Sequence, residues 1–509
     1  MSERPIRFFH RGAVVEVHDA VPTRTVLEWL RENAQCTGTK EGCAEGDCGA
    51  CTVVVGEPDG SGPDAGLRLR PVNSCIRFLP TLDGKALFTV EDLQPLARAG
   101  RPKAPGVQPL HPVQQALVDC HGSQCGFCTP GFVMTLWAGY EQHLGDGTRP
   151  TRRELADELS GNLCRCTGYR PILDAGERMF EAPPARLDAA PVLAALRTLA
   201  ADPPLRQDGV FHAPRTLDEF AALRAARPQA RLVAGATDIG LWVTKQFREL
   251  GEMISIGEVA ELKTIEERDG ALLIGAAASL EDAWAALVGR WPALQDLWLR
   301  FAGPPVRHAG TLGGNVANGS PIGDAAPVLM ALDARLLLRQ GERLRKLPLA
   351  DFYTGYMQNR LEPGEFVQAI EVPLPVAVEQ VRAYKISKRF DCDISAVCAG
   401  FAIALDGDRV RLARLAYGGM AATVKRAAQA EAALVGRPWD EATLEQAIAA
   451  LAQDFQPLSD MRASAAYRAQ VAGNLLRRLW LETRVADPLP VHALSVWTEA
   501  ATTLPGEVA

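Results

Sequence analysis

The sequence predicts a multidomain α+β protein, and three observations lead to this fold class. At 509 residues the chain is long enough for about three to four domains. The pattern of apolar residues along the chain predicts short strands first, then a helical stretch, and then mixed strands and helices. Two groups of four cysteines lie within the first third of the chain. We therefore expect several separately packed units, two of which are organised around cysteines.

Residues 1–95 predict a small α+β domain. The apolar residues of 25–32 recur at helical spacing and predict one helix. Short runs of β-branched and apolar residues predict strands at 6–9, 13–17, 51–55, 67–70 and 86–90.

Residues 96–182 predict a helical bundle. Helices are expected over 112–118, 130–140 and 151–160, and a fourth from Pro171. Thr129 is the expected N-cap of the second helix, with Pro130 at its first position. Thr151 and Glu154 have the spacing of a capping box.

The remaining chain predicts a linker, two further α+β domains and a tail. The segment 183–207 is rich in Ala and Pro, which is typical of a linker. Residues 208–378 and 379–485 again mix strand and helix patterns, and 486–509 predict a loosely held tail. Individual strands are expected at 232–234, 253–256, 272–274, 399–404 and 411–417, with a helix through 474–481.

Composition narrows the classes of function. The net charge is −7 and no long basic run occurs, so nucleic acid is not an expected partner. No stretch of eighteen or more apolar residues predicts a membrane span. The charged start of the chain does not resemble a signal peptide, so a cytoplasmic location is expected. In a reducing compartment, clustered cysteines indicate metal or redox chemistry.

The first cysteine group is Cys43, Cys48, Cys51 and Cys75. Its spacing, C-x4-C-x2-C followed by a distant cysteine, is that of a plant-type [2Fe–2S] site. Glycines between these ligands permit the left-handed turns that a tight loop around a cluster requires. A zinc knuckle is the alternative, but zinc sites usually pair two short cysteine hooks.

The second group is Cys125, Cys128, Cys164 and Cys166. Residues one apart cannot share a helix face, so the last two must lie on a loop. The first two precede a predicted helix, whose positive end favours thiolates. Zinc or purely structural cysteines remain an alternative for this group. Buried apolar packing is expected for Cys36, Cys120, Cys392 and Cys398.

Two glycine-containing segments suggest a nucleotide site without a Rossmann fingerprint. No G-x-G-x-x-G motif opens a helix after a strand. Gly235 and Gly240 follow a predicted strand and could let backbone amides approach a diphosphate. Gly313 and Gly314 could do the same from a second loop, near Thr311, Asn315 and Ser320. Each segment taken alone is equally typical of an ordinary turn.

Four segments together resemble the molybdenum hydroxylase family. The cysteine segments 124–131 (QCGFCTPG) and 161–169 (GNLCRCTGY) resemble that family's second cluster motif. The segments 232–240 (LVAGATDIG) and 311–324 (TLGGNVANGSPIGD) resemble its FAD-binding segments. The resemblance extends over about residues 5–480.

This resemblance implies a β-grasp plant-type ferredoxin domain, a four-helix [2Fe–2S] bundle, a two-part non-Rossmann FAD domain and an α+β C-terminal domain. It implies no catalytic residue on this chain. Asp324 would lie near the adenosine side of FAD, and Lys385 would close the pocket. The implied FAD-binding residues are Leu232, Val233, Ala234, Gly235, Ala236, Thr237, Asp238, Ile239, Phe301, Thr311, Leu312, Gly313, Gly314, Asn315, Asp324 and Lys385.

The resemblance also implies a function and a partner. The similarity is strongest to the small subunits of the xanthine-oxidising members of the family. A large partner subunit would hold the molybdopterin, and two such heterodimers would form a heterotetramer. Electrons would pass from molybdenum through the second and then the first cluster to FAD and NAD+, as xanthine is converted to urate in purine catabolism.

Several alternatives stay open at the level of sequence. The chain could serve another molybdenum hydroxylase, or act alone as an NADH-dependent iron–sulfur flavoprotein reductase. A zinc-stapled scaffold that binds proteins is a non-enzymatic alternative. The segment 388–393 (KRFDCD) aligns with a loop near the flavin ring in the family, although a solvated turn explains its charges equally well.

Overall fold

A computed structural model describes residues 4–60, 62, 65–94, 110–375, 379–490 and 493–494. The predicted domain boundaries near 95 and 378, and most of the predicted tail 486–509, lie outside these ranges. Within them, no helix combines the length and the apolar composition needed to cross a membrane.

The first domain is a five-stranded sheet with one helix across it, as predicted. The strand order is β2-β1-β5-β3-β4, with β1 parallel to β5 and the other pairs antiparallel. Helix α1 (Val26–Glu32) begins at a capping box formed by Thr25 and Glu28. The strands are β1 (Ile6–His10), β2 (Ala13–Val17), β3 (Thr52–Asp59), β4 (Gly66–Asn73) and β5 (Ala86–Phe88).

Both faces of this sheet are buried, which explains the unbroken valine run of β3. Val54 packs into the core shared with the helical bundle. Val53 and Val55 point to the opposite face and pack with α1 and with residues of the third domain. A strand buried on both sides shows continuous apolar residues instead of alternation. The sheet is therefore held between the bundle and the third domain.

The described residues of the second domain, from 110 onward, form four helices, which confirms the predicted bundle. Thr151 and Glu154 make the expected capping box. The N-cap of the second helix is Cys128 instead of Thr129, whose hydroxyl is paired with that of Ser123 at 2.7 Å. The helices are α2 (Pro112–Asp119), α3 (Thr129–Asp146), α4 (Arg152–Glu158) and α5 (Arg170–Arg178).

The segment 183–207, predicted as a linker, contains a helix, α6 (Ala189–Ala200). Asp188 caps its first turn, and its alanines have the highest helix propensity. Val192, Leu196 and Leu199 are buried in the core shared with the bundle and the first sheet. The connection is therefore packed against the first two domains instead of hanging free.

The third domain contains two sheets, with strand orders β6-β7-β9-β8 and β10-β11-β16-β12-β13. Its first sheet consists of β6 (Arg206–Gln207), β7 (Phe211–His212), β8 (Arg231–Val233) and β9 (Met253–Ser255). The second consists of β10 (Ile265–Arg268), β11 (Ala271–Gly275), β12 (Arg335–Gln340), β13 (Arg343–Pro348) and β16 (Phe366–Pro373). A small hairpin is formed by β14 (Tyr353–Gly355) and β15 (Gln358–Asn359).

Seven helices accompany these two sheets in the described residues. They are α7 (Leu217–Ala226), α8 (Ile239–Thr244), α9 (Leu280–Arg290), α10 (Gln295–Arg300), α11 (Pro304–Ala309), α12 (Leu312–Asn318) and α13 (Ala325–Ala331). This two-part α+β architecture agrees with the prediction.

The fourth domain packs an antiparallel sheet against three helices. The strands β17 (Glu379–Ile386), β18 (Val397–Asp406), β19 (Arg409–Gly418) and β20 (Lys425–Arg426) are paired in sequence order. The helices are α14 (Ala428–Leu434), α15 (Glu441–Asp454) and α16 (Ala465–Thr483). A shared apolar core joins both layers.

Four glycines let the first three domains meet backbone to backbone, and we call this contact the glycine junction (Gly49, Gly131, Gly161, Gly303). A Cβ atom on Gly131 would lie 2.1 Å from the carbonyl oxygen of Gly49, and one on Gly49 would lie 2.3 Å from that of Gly161. A Cβ atom on Gly303 would lie 2.5 Å from the Cα of Gly161. No side chain fits between these segments.

We expect Gly131→Ala to destabilise the contact between the first two domains. Alanine favours a helix over glycine by about 0.5–1 kcal/mol, but overpacking a filled site costs about 1–3 kcal/mol. Gly289→Ala is the matched control, because Gly289 is also helical and a Cβ there meets nothing within 4 Å. Thermal unfolding should show a lower transition temperature for Gly131→Ala and an unchanged or higher one for Gly289→Ala. Equal behaviour of the two variants would contradict the junction.

Candidate metal centres and cofactor cavity

The first cysteine group lies on a tight loop and at the ends of two paired strands. The loop containing Cys43 and Cys48 turns through left-handed residues at Ala44, Gly46 and Gly49, with φ of 55°, 79° and 70°. The glycine turns predicted from the sequence are therefore present. Cys51 precedes β3 and Cys75 follows β4, so strand pairing brings these two cysteines together.

The four thiols of this group contact one another in pairs. Side-chain contacts join Cys43 to Cys48, Cys43 to Cys75, and Cys51 to Cys75. The Cys48 N–H donates to the Cys43 sulfur at 3.4 Å. The Asn73 side-chain amide is 3.9 Å from the Cys51 sulfur. Such donors stabilise thiolates, the form of cysteine that binds iron.

The second group is brought together by the bundle and is closer to the surface. Cys125 and Cys128 lie just before α3, and Cys164 and Cys166 lie on the loop between α4 and α5, as predicted. Side-chain contacts pair Cys128 with Cys164 and Cys125 with Cys166. Cys125 and Cys166 are exposed, whereas Cys164 is buried.

Both groups supply the thiols that a two-iron cluster requires. In each group the four cysteines contact one another in pairs. A zinc ion requires four ligands directed at one point, whereas a [2Fe–2S] cluster divides four cysteines between two irons. Bound there, each cluster would be held by the four cysteines of its group.

The two cysteine loops are joined by hydrogen bonds. The N–H of Leu163, the neighbour of Cys164, donates to the Cys48 carbonyl at 3.0 Å. The buried Asn162 amide donates to the Gly49 carbonyl at 3.1 Å and to Thr52 at 3.2 Å. Its oxygen accepts a hydrogen bond from Thr135 at 2.7 Å. These hydrogen bonds hold the loops of the two groups together.

A cavity of about 910 Å³ lies between the first, third and fourth domains. The predicted residues that line it are Leu232, Ala234, Gly235, Ala236, Thr237, Asp238, Ile239, Phe301, Thr311, Gly313, Gly314, Asn315, Asp324 and Lys385. The side chains of Val233 and Leu312, predicted to bind the same cofactor, are instead fully buried in apolar cores. Neither side chain can contact a ligand in this cavity.

The first predicted loop offers free amides to an anion. Its turn contains Ala236 with a left-handed φ of 59°. In the described structure, the N–H groups of Gly235, Ala236, Thr237 and Asp238 donate to no protein acceptor. Consecutive free amides around a left-handed residue form a nest that binds phosphate-like groups. Burial raises the pKa of the neighbouring Asp238 carboxyl.

Gly235 and Gly240 also permit close contacts between protein segments, which the sequence did not predict. A Cβ atom on Gly235 would lie 1.7 Å from the Ala309 carbonyl oxygen, so this glycine permits contact between two protein loops. A Cβ atom on Gly240 would lie 2.5 Å from the carbonyl oxygen of Ile76, which follows Cys75. Both glycines are therefore required by packing, and Gly240 is required by packing against the first cysteine group.

The second predicted loop contributes less backbone than expected. The N–H groups of Leu312 and Gly313 donate to the Ala278 and Ala276 carbonyls at 3.1 Å, and that of Gly314 donates to Thr311 at 3.1 Å. These amides are not available to a diphosphate. A Cβ atom on Gly314 would lie 2.8 Å from the Thr311 hydroxyl oxygen, so Gly314 permits the contact with that side chain at the cavity wall.

A buried ion pair joins the third and fourth domains at the cavity wall. The Lys385 ammonium contacts an Asp324 oxygen at 2.5 Å, and the Ser395 hydroxyl donates to the other oxygen at 2.6 Å. All three side chains are buried. The pair fixes the fourth domain against α13 and places one cation and one anion at the cavity wall.

The cavity wall also contains residues that sequence reasoning missed. Glu45, Gly46 and Asp47, between the first two cysteines, belong to it. Thr244 of α8 donates to the Ala44 carbonyl at 2.8 Å and holds this loop in place. Other lining residues that the sequence did not single out are Phe220, Arg231, Trp242, Pro305, Leu361 and Phe366. Spacing gave no signal for them, because the fold collects them from distant segments.

The segment 388–393 contributes three side chains to the cavity wall, those of Arg389, Cys392 and Asp393. Asp393 accepts hydrogen bonds from the N–H groups of Arg389 and Ile394 and so shapes the turn. Burial raises the pKa of Cys392 to about 12, so its thiol stays protonated. Cys392 is a buried cysteine as predicted, but it lies at the cavity edge.

Family models match four consecutive stretches of the chain. A 2Fe-2S iron-sulfur cluster binding domain matches residues 8–77, and a [2Fe-2S] binding domain matches 93–177. The FAD binding domain in molybdopterin dehydrogenase matches residues 205–375. The CO dehydrogenase flavoprotein C-terminal domain matches residues 382–483. The cysteine groups and the cavity fall within these stretches.

Curated relatives match most of this chain. A xanthine dehydrogenase of Emericella nidulans is 32% identical over 516 residues, which is 88% of this chain and 36% of the relative. A xanthine dehydrogenase of Drosophila subobscura is 32% identical over 93% of this chain and 39% of the relative. An aldehyde oxidase 2 of Cavia porcellus is 31% identical over 86% of this chain and 37% of the relative. The chain thus spans less than two fifths of the length of these relatives.

Solved structures match about half of the chain. A carbon monoxide dehydrogenase from Hydrogenophaga pseudoflava has a TM-score of 0.51 and 28% identity, covering 54% of this chain and 96% of its own. Carbon monoxide dehydrogenase from Oligotropha carboxidovorans has a TM-score of 0.50 and 27% identity, covering 53% and 96%. The four family matches and these relatives agree with the two cysteine groups and the cavity, so this chain belongs to the molybdenum hydroxylase family as an iron–sulfur and FAD-binding electron-transfer component.

Proposed function

We propose that this chain is the electron-transfer subunit of a xanthine dehydrogenase. Electrons would enter from a molybdenum cofactor on a partner subunit and would leave through FAD to NAD+, while xanthine and water become urate. One observation carries the electron-transfer role: the two cysteine groups and the cavity form a continuous series of contacts from the protein surface to the cofactor site.

The second cysteine group provides the site where electrons would enter this chain. Cys125 and Cys166 are exposed, and they lie on the segments that carry the exposed aromatic residues Phe127 and Tyr169. Exposed aromatic side chains are enriched where proteins dock. A partner seated here would bring its own redox centre close to the cluster of this group. This is the face where we propose that the molybdenum subunit binds.

The contact between the two cysteine loops provides the middle of the route. The hydrogen bond from Leu163 to Cys48 links the residue beside one cluster ligand to another cluster ligand. The glycine junction keeps any side chain from separating the loops. The route between the two cysteine loops therefore includes a direct backbone hydrogen bond.

The cavity provides the site from which electrons would leave this chain. Clusters pass single electrons and NAD+ accepts a hydride, and a flavin bound here converts one into the other. The nest at Gly235–Asp238 would hold the diphosphate, and the Asp324–Lys385 pair and Phe301 would contact other parts of the cofactor. The residues between Cys43 and Cys48 form part of the wall, so the first cluster would lie directly behind the flavin site.

Xanthine and NAD+ are proposed from the relatives and not from the site alone. Three of the relatives named xanthine dehydrogenase match 88–93% of this chain. Because the chain spans only 36–39% of those relatives, the rest of the machinery must be supplied by other residues or by a partner. Two such heterodimers would pair in the complete enzyme.

The deciding experiment is xanthine-dependent NADH formation by the complex purified through a tag on this chain from its native host. Turnover, with a large molybdenum-containing subunit in the same fraction, is the expected result. No turnover despite bound iron, flavin and that partner would contradict xanthine as the substrate. A chain that oxidises NADH at full rate without any partner would support the stand-alone reductase instead.

We expect Cys48→Ser or Cys51→Ser to abolish the electron paramagnetic resonance signal of the first cluster and to leave that of the second. A serine oxygen is a poorer iron ligand than a thiolate. Cys120→Ser is the matched control, because Cys120 is partly exposed and belongs to neither group. An intact first signal in the ligand variants would refute the assignment. A colourless, zinc-containing wild-type protein would support the scaffold alternative.

We expect Lys385→Met to lower the flavin content of the purified protein. The substitution leaves Asp324 as an uncompensated buried charge, which costs about 3–5 kcal/mol in comparable sites. Lys346→Met is the control, because the ion pair of Lys346 with Glu371 lies on the surface, where such pairs contribute about 0–1 kcal/mol. The ratio of flavin to protein absorbance measures the result. Equal flavin content in both variants would contradict a role for Lys385 in the cofactor site.

A further inference from the structure

The loop that carries Cys164 and Cys166 is closed by a ring of three hydrogen bonds. The Cys164 N–H donates to the Tyr169 hydroxyl at 3.1 Å. The Tyr169 N–H donates to the Thr167 hydroxyl oxygen at 3.2 Å. The Thr167 hydroxyl in turn donates to the Cys164 sulfur at 3.2 Å. Each residue of the ring is therefore both a donor and an acceptor.

The ring decides the direction of the Thr167 hydroxyl. Its oxygen already accepts the Tyr169 N–H, so its single proton is directed to the Cys164 sulfur, an acceptor. Tyr169 has a left-handed φ of 68°, which a tyrosine rarely adopts, and its ring packs against Phe132 with centroids 6.4 Å apart. Tyr169 is held by Phe132 at its ring and by the Cys164 N–H at its hydroxyl, and it therefore keeps Thr167 in this orientation.

Within its group, the sulfur of Cys164 receives the most hydrogen bonds. The backbone N–H groups of Cys166 and Thr167 also point at it. Cys164 is buried, whereas Cys125 and Cys166 are exposed. A hydrogen bond to a charged sulfur is stronger away from water. Cys164 also adjoins Leu163, which contacts the first cysteine group, so this sulfur lies on the side toward which electrons would leave.

We propose that Thr167 raises the reduction potential of the second cluster through its hydrogen bond to the Cys164 sulfur. Reduction adds negative charge to a cluster and its sulfurs, so a fixed donor stabilises the reduced form more than the oxidised form. Thr167 is a positioning residue that acts through a ligand and touches no substrate. This inference rests on the proposed function, because it requires a cluster at this group.

The test is a redox titration of the whole chain, followed by electron paramagnetic resonance of both clusters. In Thr167→Val, which removes the hydroxyl and keeps the shape, we expect the equilibrium constant for reducing the second cluster to fall about tenfold relative to the first. For a one-electron centre this corresponds to about 59 mV. Thr167→Ser restores the hydroxyl and should restore the potential. Thr167→Ala is a second variant with the same expectation as Thr167→Val.

The outcomes separate this inference from the proposed function. A wild-type protein without a second cluster signal would overturn the proposed function itself. Two normal signals in Thr167→Val and Thr167→Ala, with an unchanged gap between their potentials, would overturn only the role of Thr167. A lowered potential in Thr167→Ser equal to that in Thr167→Val would also overturn it, because the hydroxyl would then be irrelevant.

Discussion

The close contact between the two cysteine loops is the constraint on which the rest of the structure depends. At the glycine junction, Gly49, Gly131 and Gly161 allow two backbones to touch, and Asn162 ties them together with buried hydrogen bonds. Buried polar groups are stable only when they are paired, and here the amide of Asn162 is paired on both sides. The same junction reaches Gly303 at the cavity, so one packing arrangement fixes the relative positions of three domains.

The cavity depends on contacts between domains in the same way. One wall comes from the loop of the first cysteine group, and the opposite side carries the Asp324–Lys385 ion pair that joins the third and fourth domains. A charged pair that is buried in this way is costly to break. The shape of the cavity is therefore a property of the assembled chain, and none of its domains would form it alone.

The helix α6 and the glycines near the cavity show where local sequence patterns did not predict the structure. Ala and Pro in 183–207 suggested a linker, but alanine also favours a helix, and burial of Val192 and Leu196 selected the helix. Gly240 and Gly313 suggested room for a cofactor, yet each makes room for protein backbone. A glycine signals that something approaches closely, and only the tertiary structure shows what approaches.

The sequence by itself determined the α+β class, the order of the domains and the eight cysteines, and most of the cofactor residues it predicted line the cavity. These features are encoded locally, because periodicity, capping residues and cysteine spacing act over a few residues. The tertiary structure alone decided that Val233 and Leu312 point into cores, that Leu163 bonds to Cys48, and that Thr167 faces Cys164. Side-chain direction and contacts between distant segments depend on how domains pack, and a linear pattern contains no distances between them.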